Sequence, residues 1–190
     1  MKILENLHMT LIAGLVLLVI AVVGLHAAEI ATHAYWAVIF RLVHVFFGIL
    51  WIGLLYYFNF VQIPNMAKIP DDQKPAIGKV IAPAALFYFR WAAAMTVLFG
   101  LITAYMNGYF VEVITFQLPT LSIGVLLALI MAFNVWFIIW PNQKKALGIV
   151  PAEPDAKKKA ARMAMLASRT NTMLSLPMLY CMVTYGNIGY

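Results

Sequence analysis

Acidic residues are scarce in this 190-residue chain: seven Asp and Glu stand against thirteen Lys and Arg, and charged side chains together make up only 11%. So few charges cannot solvate the surface of a soluble domain of this size when 64% of the residues are hydrophobic. Cysteine is nearly absent too. The single one, Cys181, lies inside an apolar run, which excludes an internal disulfide, a CxxC metal site and covalent CxxCH attachment of a c-type haem. No internal repeat is visible, and no polar stretch is long enough to make a soluble domain. The formal charge of +6 does not point to nucleic acid, because the basic residues are confined to short loops beside apolar runs, where membrane orientation accounts for them.

What is present is a succession of apolar runs, each about 20 residues or longer and therefore able to cross a bilayer. They fall near residues 9–30, 35–61, 81–107, 118–140 and 164–187. Repetition excludes a cleaved signal peptide or a single anchor. The expected fold is an all-α integral membrane helical bundle of about five transmembrane helices, forming one domain over residues 1–190. Lys68, Lys74 and Lys79 follow the second run, and Lys144, Lys145, Lys157, Lys158, Lys159 and Arg162 follow the fourth. The loops around residues 29–35 and 107–118 carry no lysine or arginine. This alternation predicts a cytoplasmic N-terminus and an outer C-terminus.

Within the second run, Arg41, His44, Gly48 and Trp51 stand at steps of three and four, so a helix places them on one face. An imidazole, a glycine gap and an outlying cation are what a b-type haem asks of a helix: an axial nitrogen, room for the macrocycle and a partner for a propionate. His26, at the outer end of the first run, is a candidate second ligand at similar depth. His33 competes less well from the loop, and His8 lies roughly 27 Å from His26 along the helix. Plainer readings exist for each. An intramembrane histidine can bond a neighbouring helix, glycine can permit close packing, and tryptophan can anchor a span end.

A second polar group is expected in the inner half of the bilayer. Arg90 in the third run, Asn134 in the fourth, and Arg169 and Asn171 in the fifth could line a pocket, with Asn59 and the rings of Tyr57, Phe87, Tyr88 and Trp91 nearby. The spans offer almost no carboxylates to pair these arginines, so a bound planar anion is one way to satisfy them. An aromatic belt and arginines at the headgroups are the structural alternative. Pro177 is expected to kink the fifth helix.

These strings carry a resemblance. HVFFGILWIGLLYYFNFVQIP from His44 to Pro64, Phe89-Arg90-Trp91, the run from Ala132 through Gln143, and that from Ala167 to Leu179 resemble the N-terminal membrane domain of the cytochrome c-linked bacterial urate oxidases. The similarity covers most of the chain from the second run onward. The histidine, glycine and tryptophan of HVFFGILWIG also resemble, over a shorter length, the haem-binding face of small membrane protoporphyrinogen oxidases. The resemblance implies a membrane oxidoreductase acting on a purine such as urate and passing electrons to a c-type cytochrome. Family members carry that cytochrome at the C-terminus, whereas these 190 residues contain no CxxCH. The acceptor is therefore expected to be another protein, and the competing expectation is a non-catalytic accessory subunit of a larger respiratory or oxygenase complex. Membrane lipids are partners in either case.

Overall fold

The computed structural model describes residues 2–185, 187 and 188, all helix and connecting turn. Gly186, inside the last expected span, lies outside the described residues. The chain divides into two compact units, Met1–Ile39 and Phe40–Tyr190.

The first unit holds α1, Leu7–His26, and the beginning of α2. Asn6 caps α1: its side-chain oxygen accepts from the backbone N–H of His8 at 2.9 Å and of Met9 at 3.2 Å, satisfying donors that a helix start leaves unpaired. Thr32 does the same for α2, accepting from the Tyr35 N–H at 3.2 Å. Trp36 closes the intervening turn by donating from Nε1 to the Ile30 carbonyl at 3.0 Å.

The second unit is built from the rest of α2, which runs continuously over His33–Lys68, with α3 (Lys74–Met106), the short α4 (Phe110–Ile114), α5 (Pro119–Ala146) and α6 (Pro154–Thr184). Three stretches widen into π-helix: Tyr57–Gln62, Ile77–Ile81 and Asn134–Ile139. Each is followed within two residues by a proline, respectively Pro64, Pro83 and Pro141. Proline has no N–H to give the carbonyl four residues earlier and its ring presses on that carbonyl, so the preceding turn opens. Two glycines end helical segments with positive φ, Gly108 at 75° after α3 and Gly148 at 73° after α5, a conformation in which a β-carbon is strained.

The core of this unit interleaves Trp51, Leu55 and Phe58 of α2, Leu86, Phe89 and Ala93 of α3, Met131, Val135 and Ile139 of α5, and Ala167 and Met178 of α6. On α6 the buried residues Ala160, Ala164, Ala167, Ser168, Asn171, Ser175, Met178 and Cys181 recur at helical spacing. Small side chains along such a stripe let backbones approach closely, which supplies the packing that apolarity cannot supply between helices in lipid. At Gly124 of α5, a Cβ would lie 2.9 Å from the Cβ of Cys181. Glycine is what permits this crossing.

Among the described residues, four helices are both long and apolar enough to cross a membrane: α1, α2, α3 and α5. The chain is thus an integral membrane helical bundle, but the fifth span departs from expectation. It forms the C-terminal part of α6, which is long enough and yet falls short in apolarity, because Ser168-Arg-Thr-Asn-Thr172 interrupts it. That segment turns Ser168 and Asn171 inward.

Candidate functional site

His44 sits where α2 meets α3. Its ring lies on α3, where Nδ1 is 2.8 Å from the Thr96 carbonyl oxygen and a Cβ on Gly100 would come within 2.9 Å of Cε1. The carbonyl can only accept, so Nδ1 carries the proton and, in the neutral ring, Nε2 carries the lone pair. Nε2 has no hydrogen-bond partner among the described residues. Thr96 itself is tied down, its hydroxyl donating to the Ala92 carbonyl at 2.7 Å. A Cβ on Gly48 would meet only the Thr96 methyl, at 3.8 Å.

The other members of that face have separate surroundings. Arg41 donates from Nη2 to the Asn107 side-chain oxygen at 3.1 Å, and Asn107 in turn donates to the Thr103 carbonyl at 2.8 Å. Trp51 is wholly enclosed in the core, and its indole N–H has no partner among the described residues. His26 belongs to the first unit. It is more than half exposed, with Nδ1 4.0 Å from the Glu29 carboxylate and its ring 6.2 Å from that of Tyr35.

The four residues expected to share an inner pocket fall into three places. Asn134 and Asn171 meet: Asn134 Nδ2 donates to Asn171 Oδ1 at 2.8 Å, while Asn171 Nδ2 donates to the Met131 carbonyl at 2.9 Å. Asn171 is completely buried, so this pair locks α5 to α6. Arg90 sits elsewhere, its guanidinium carbon 3.9 Å from the centre of the Trp140 ring and 5.3 Å from that of Phe87. Nη1 donates to the Leu86 carbonyl at 3.3 Å, and the Arg90 carbonyl accepts from Trp136 Nε1 at 3.1 Å. The cation is answered by π-faces in place of a carboxylate. Arg169 is exposed at a groove between α2 and α6.

Similarity to known families decides the membership. The family model for urate oxidase N-terminal matches residues 89–187, just over half of the chain. The chain belongs to the urate oxidase N-terminal family. No curated protein matches significantly. No solved structure does so either. In this urate oxidase N-terminal chain the matched region begins at Phe89 and so contains Thr96, Gly100, Arg90, Asn134, Arg169 and Asn171, while His26 and His44 precede it.

Several of these relationships have no local signal. Thr96 and Gly100 are one helical turn apart on α3 and look like ordinary helix-packing residues until α2 is laid against them. Ser168 and Ser175 are equally inconspicuous. Ser168 accepts from Asn59 Nδ2 at 2.8 Å, and Ser175 is 2.9 Å from the Tyr56 hydroxyl. The sequence signal that exists is helical spacing, seven residues putting Ser168 and Ser175 on one face of α6 and three putting Tyr56 and Asn59 on one face of α2.

Proposed function

We propose that this membrane domain is a redox protein in which His44 would ligate a b-type haem, with electrons passing towards a c-type cytochrome, in a bacterial inner membrane. The observation that carries the reading is the Thr96 carbonyl at 2.8 Å from His44 Nδ1. Metal-ligating histidines characteristically donate their other ring N–H to a carbonyl or carboxylate, which fixes the tautomer and the orientation of the ring. The donor chemistry at His44 fits such a role, and Gly100 provides the recess that lets the imidazole sit against α3. A bound haem supplies one-electron transfer, with its potential set by axial ligand and surroundings.

In this reading the chain's own residues orient and insulate. Thr96 holds the proton on Nδ1, the core around Trp51 and Leu55 excludes water from one side of the helix pair, and Arg41 stands one turn from His44 as a cation for a propionate. His26 is the proposed second ligand. A urate-like purine is the proposed reductant, by family.

The test is a reduced-minus-oxidised visible spectrum and a pyridine haemochrome assay on the detergent-purified chain, with His44→Ala and His26→Ala alongside. A b-type band near one haem per chain, lost in His44→Ala while the variant remains membrane-inserted and folded, is the expected result. A flat spectrum from folded wild-type protein would assign the chain instead to a non-catalytic accessory subunit of a larger membrane complex.

A further inference from the structure

The groove at Arg169 has a chemistry of its own. It encloses about 430 Å³ between α2 and α6 and is lined by Tyr56, Asn59 and Phe60 on one side and Arg169, Thr172, Met173 and Leu176 on the other. Nearly every polar group along it is already spent. Both N–H groups of Asn59 are committed, to the Leu55 carbonyl at 2.9 Å and to Ser168 at 2.8 Å, and its oxygen is enclosed. Ser175 donates to the Thr172 carbonyl at 2.7 Å, so the Tyr56 hydroxyl must donate to Ser175. Thr172 donates to the Ser168 carbonyl at 3.1 Å.

Arg169 is the exception. Its guanidinium has no hydrogen bond and no carboxylate partner among the described residues, and five donors on a permanent cation are left to a ligand or to solvent. A purine would need donors and acceptors around its whole edge, and Arg169 is the one unspent donor this groove exposes, the unpartnered Asn59 Oδ1 being enclosed. What it does offer is one cation at one end and an apolar channel leading away from it past Met173, Leu176 and the stacked rings of Tyr56 and Phe60, whose centroids are 5.1 Å apart. That is the complement of an anionic amphiphile.

Position along α6 agrees. Lys157, Lys158, Lys159 and Arg162 precede Arg169 on the same helix, and Arg169 follows Arg162 by about 10 Å at 1.5 Å per residue. Only twelve residues, 173–184, continue the helix beyond its polar segment, about 18 Å of rise, well short of a full hydrocarbon core. Arg169 is thus near the boundary at which the apolar part of α6 begins, within reach of a headgroup drawn slightly inward, as membrane arginines do by snorkelling and local thinning.

We infer that this groove is a binding site for an anionic phospholipid, its phosphate on the Arg169 guanidinium and one acyl chain along Phe60, Met173 and Leu176. The bound lipid covers the side of the α2–α6 contact that protein leaves open and neutralises the one cation there. The site is independent of the His44 reading.

The experiment is native mass spectrometry of the purified full chain after delipidation, with dioleoylphosphatidylglycerol, dioleoylphosphatidylcholine, oleate and urate as separate probes. Retention of phosphatidylglycerol over phosphatidylcholine by the wild type is expected. Arg169→Gln should weaken phosphatidylglycerol by about fivefold, the scale of one basic residue acting on an anionic headgroup, and abolish most of the preference. Met173→Trp, which keeps the charge but fills the channel, should weaken both phospholipids. Equal retention of the two phospholipids by the wild type would overturn the proposal, as would an undiminished preference in Arg169→Gln, which would assign it to the loop lysines. Displacement of phosphatidylglycerol by urate would return the groove to a substrate role, and oleate held in preference to phosphatidylglycerol would replace phosphate by carboxylate recognition.

Discussion

Gly100 lies directly under the imidazole of His44: a Cβ at that position would stand 2.9 Å from Cε1 and 3.0 Å from Nδ1. Backbone of the third long helix therefore serves as the bed on which the histidine of the second is laid, and the Thr96 carbonyl one turn away fixes which nitrogen is protonated.

Gly100→Ala should consequently push the ring off the Thr96 carbonyl, costing about 1–3 kcal/mol as overpacking does and lowering haem content if His44 is an axial ligand. Gly48→Ala is the contrast. Its new methyl meets only the Thr96 methyl at 3.8 Å, so it should be neutral or gain up to about 1 kcal/mol from helix propensity. Thermal midpoints of the two variants in the same detergent, read with haem content, check both. Equal effects would sink the distinction between the two glycines, and loss of haem in Gly48→Ala alone would place the macrocycle against Gly48.

Asn171→Ala should destabilise the α5–α6 contact by about 1–2 kcal/mol, the scale of two interhelical hydrogen bonds in a membrane protein. It leaves Asn134 Nδ2 without its acceptor, while the Met131 carbonyl keeps the backbone N–H of Asn134. Asn134→Ala/Asn171→Ala together should cost less than the sum of the single changes, because removing the second partner removes its orphan. Strict additivity in thermal or denaturant unfolding would show that the two asparagines do not act as a pair.

Trp140→Ala should cost about 1–2 kcal/mol beyond its packing loss, since it strips the π-face from a partly buried Arg90. The cycle with Arg90→Met isolates that part. Should Trp140→Ala cost as much in the Arg90→Met background as in the wild type, the stacked geometry contributes no energy.

Orientation can be read by labelling. On a Cys181→Ser background, single cysteines at Asp72 and Ala152 should react from the cytoplasmic side and one at Glu29 from the opposite side, because lysine and arginine cluster beside the first two positions and are absent around the third. Labelling of Asp72 and Ala152 from opposite sides would mean that α6 or its neighbours do not span as the charge pattern implies.

How far sequence carries the fold is clearest at α1 and α6. The first run, 9–30 by apolarity, is the helix Leu7–His26, with a cap at Asn6 that marks its start. The last, 164–187 by the same criterion, turns out to be the far end of a 31-residue helix beginning at Pro154. Its polar segment reads as interfacial or ligand-binding residues in sequence, while the structure turns part of it inward against α5.

Composition and periodicity determined by themselves that this is a helical membrane protein, roughly where its helices run, and that Arg41, His44, Gly48 and Trp51 share a face. Those properties depend on the bilayer as solvent and on 3.6 residues per turn, and both act locally along the chain. Which residues serve as partners was decided only by tertiary structure. Asn171 was expected beside an anion and is bonded to Asn134, Arg90 rests on Trp140, and the imidazole of His44 is bedded on Gly100, which the sequence did not single out. A polar side chain buried between helices takes whichever donor, acceptor or ring the neighbouring helix brings to its level, and that depends on the register of two helices far apart in sequence.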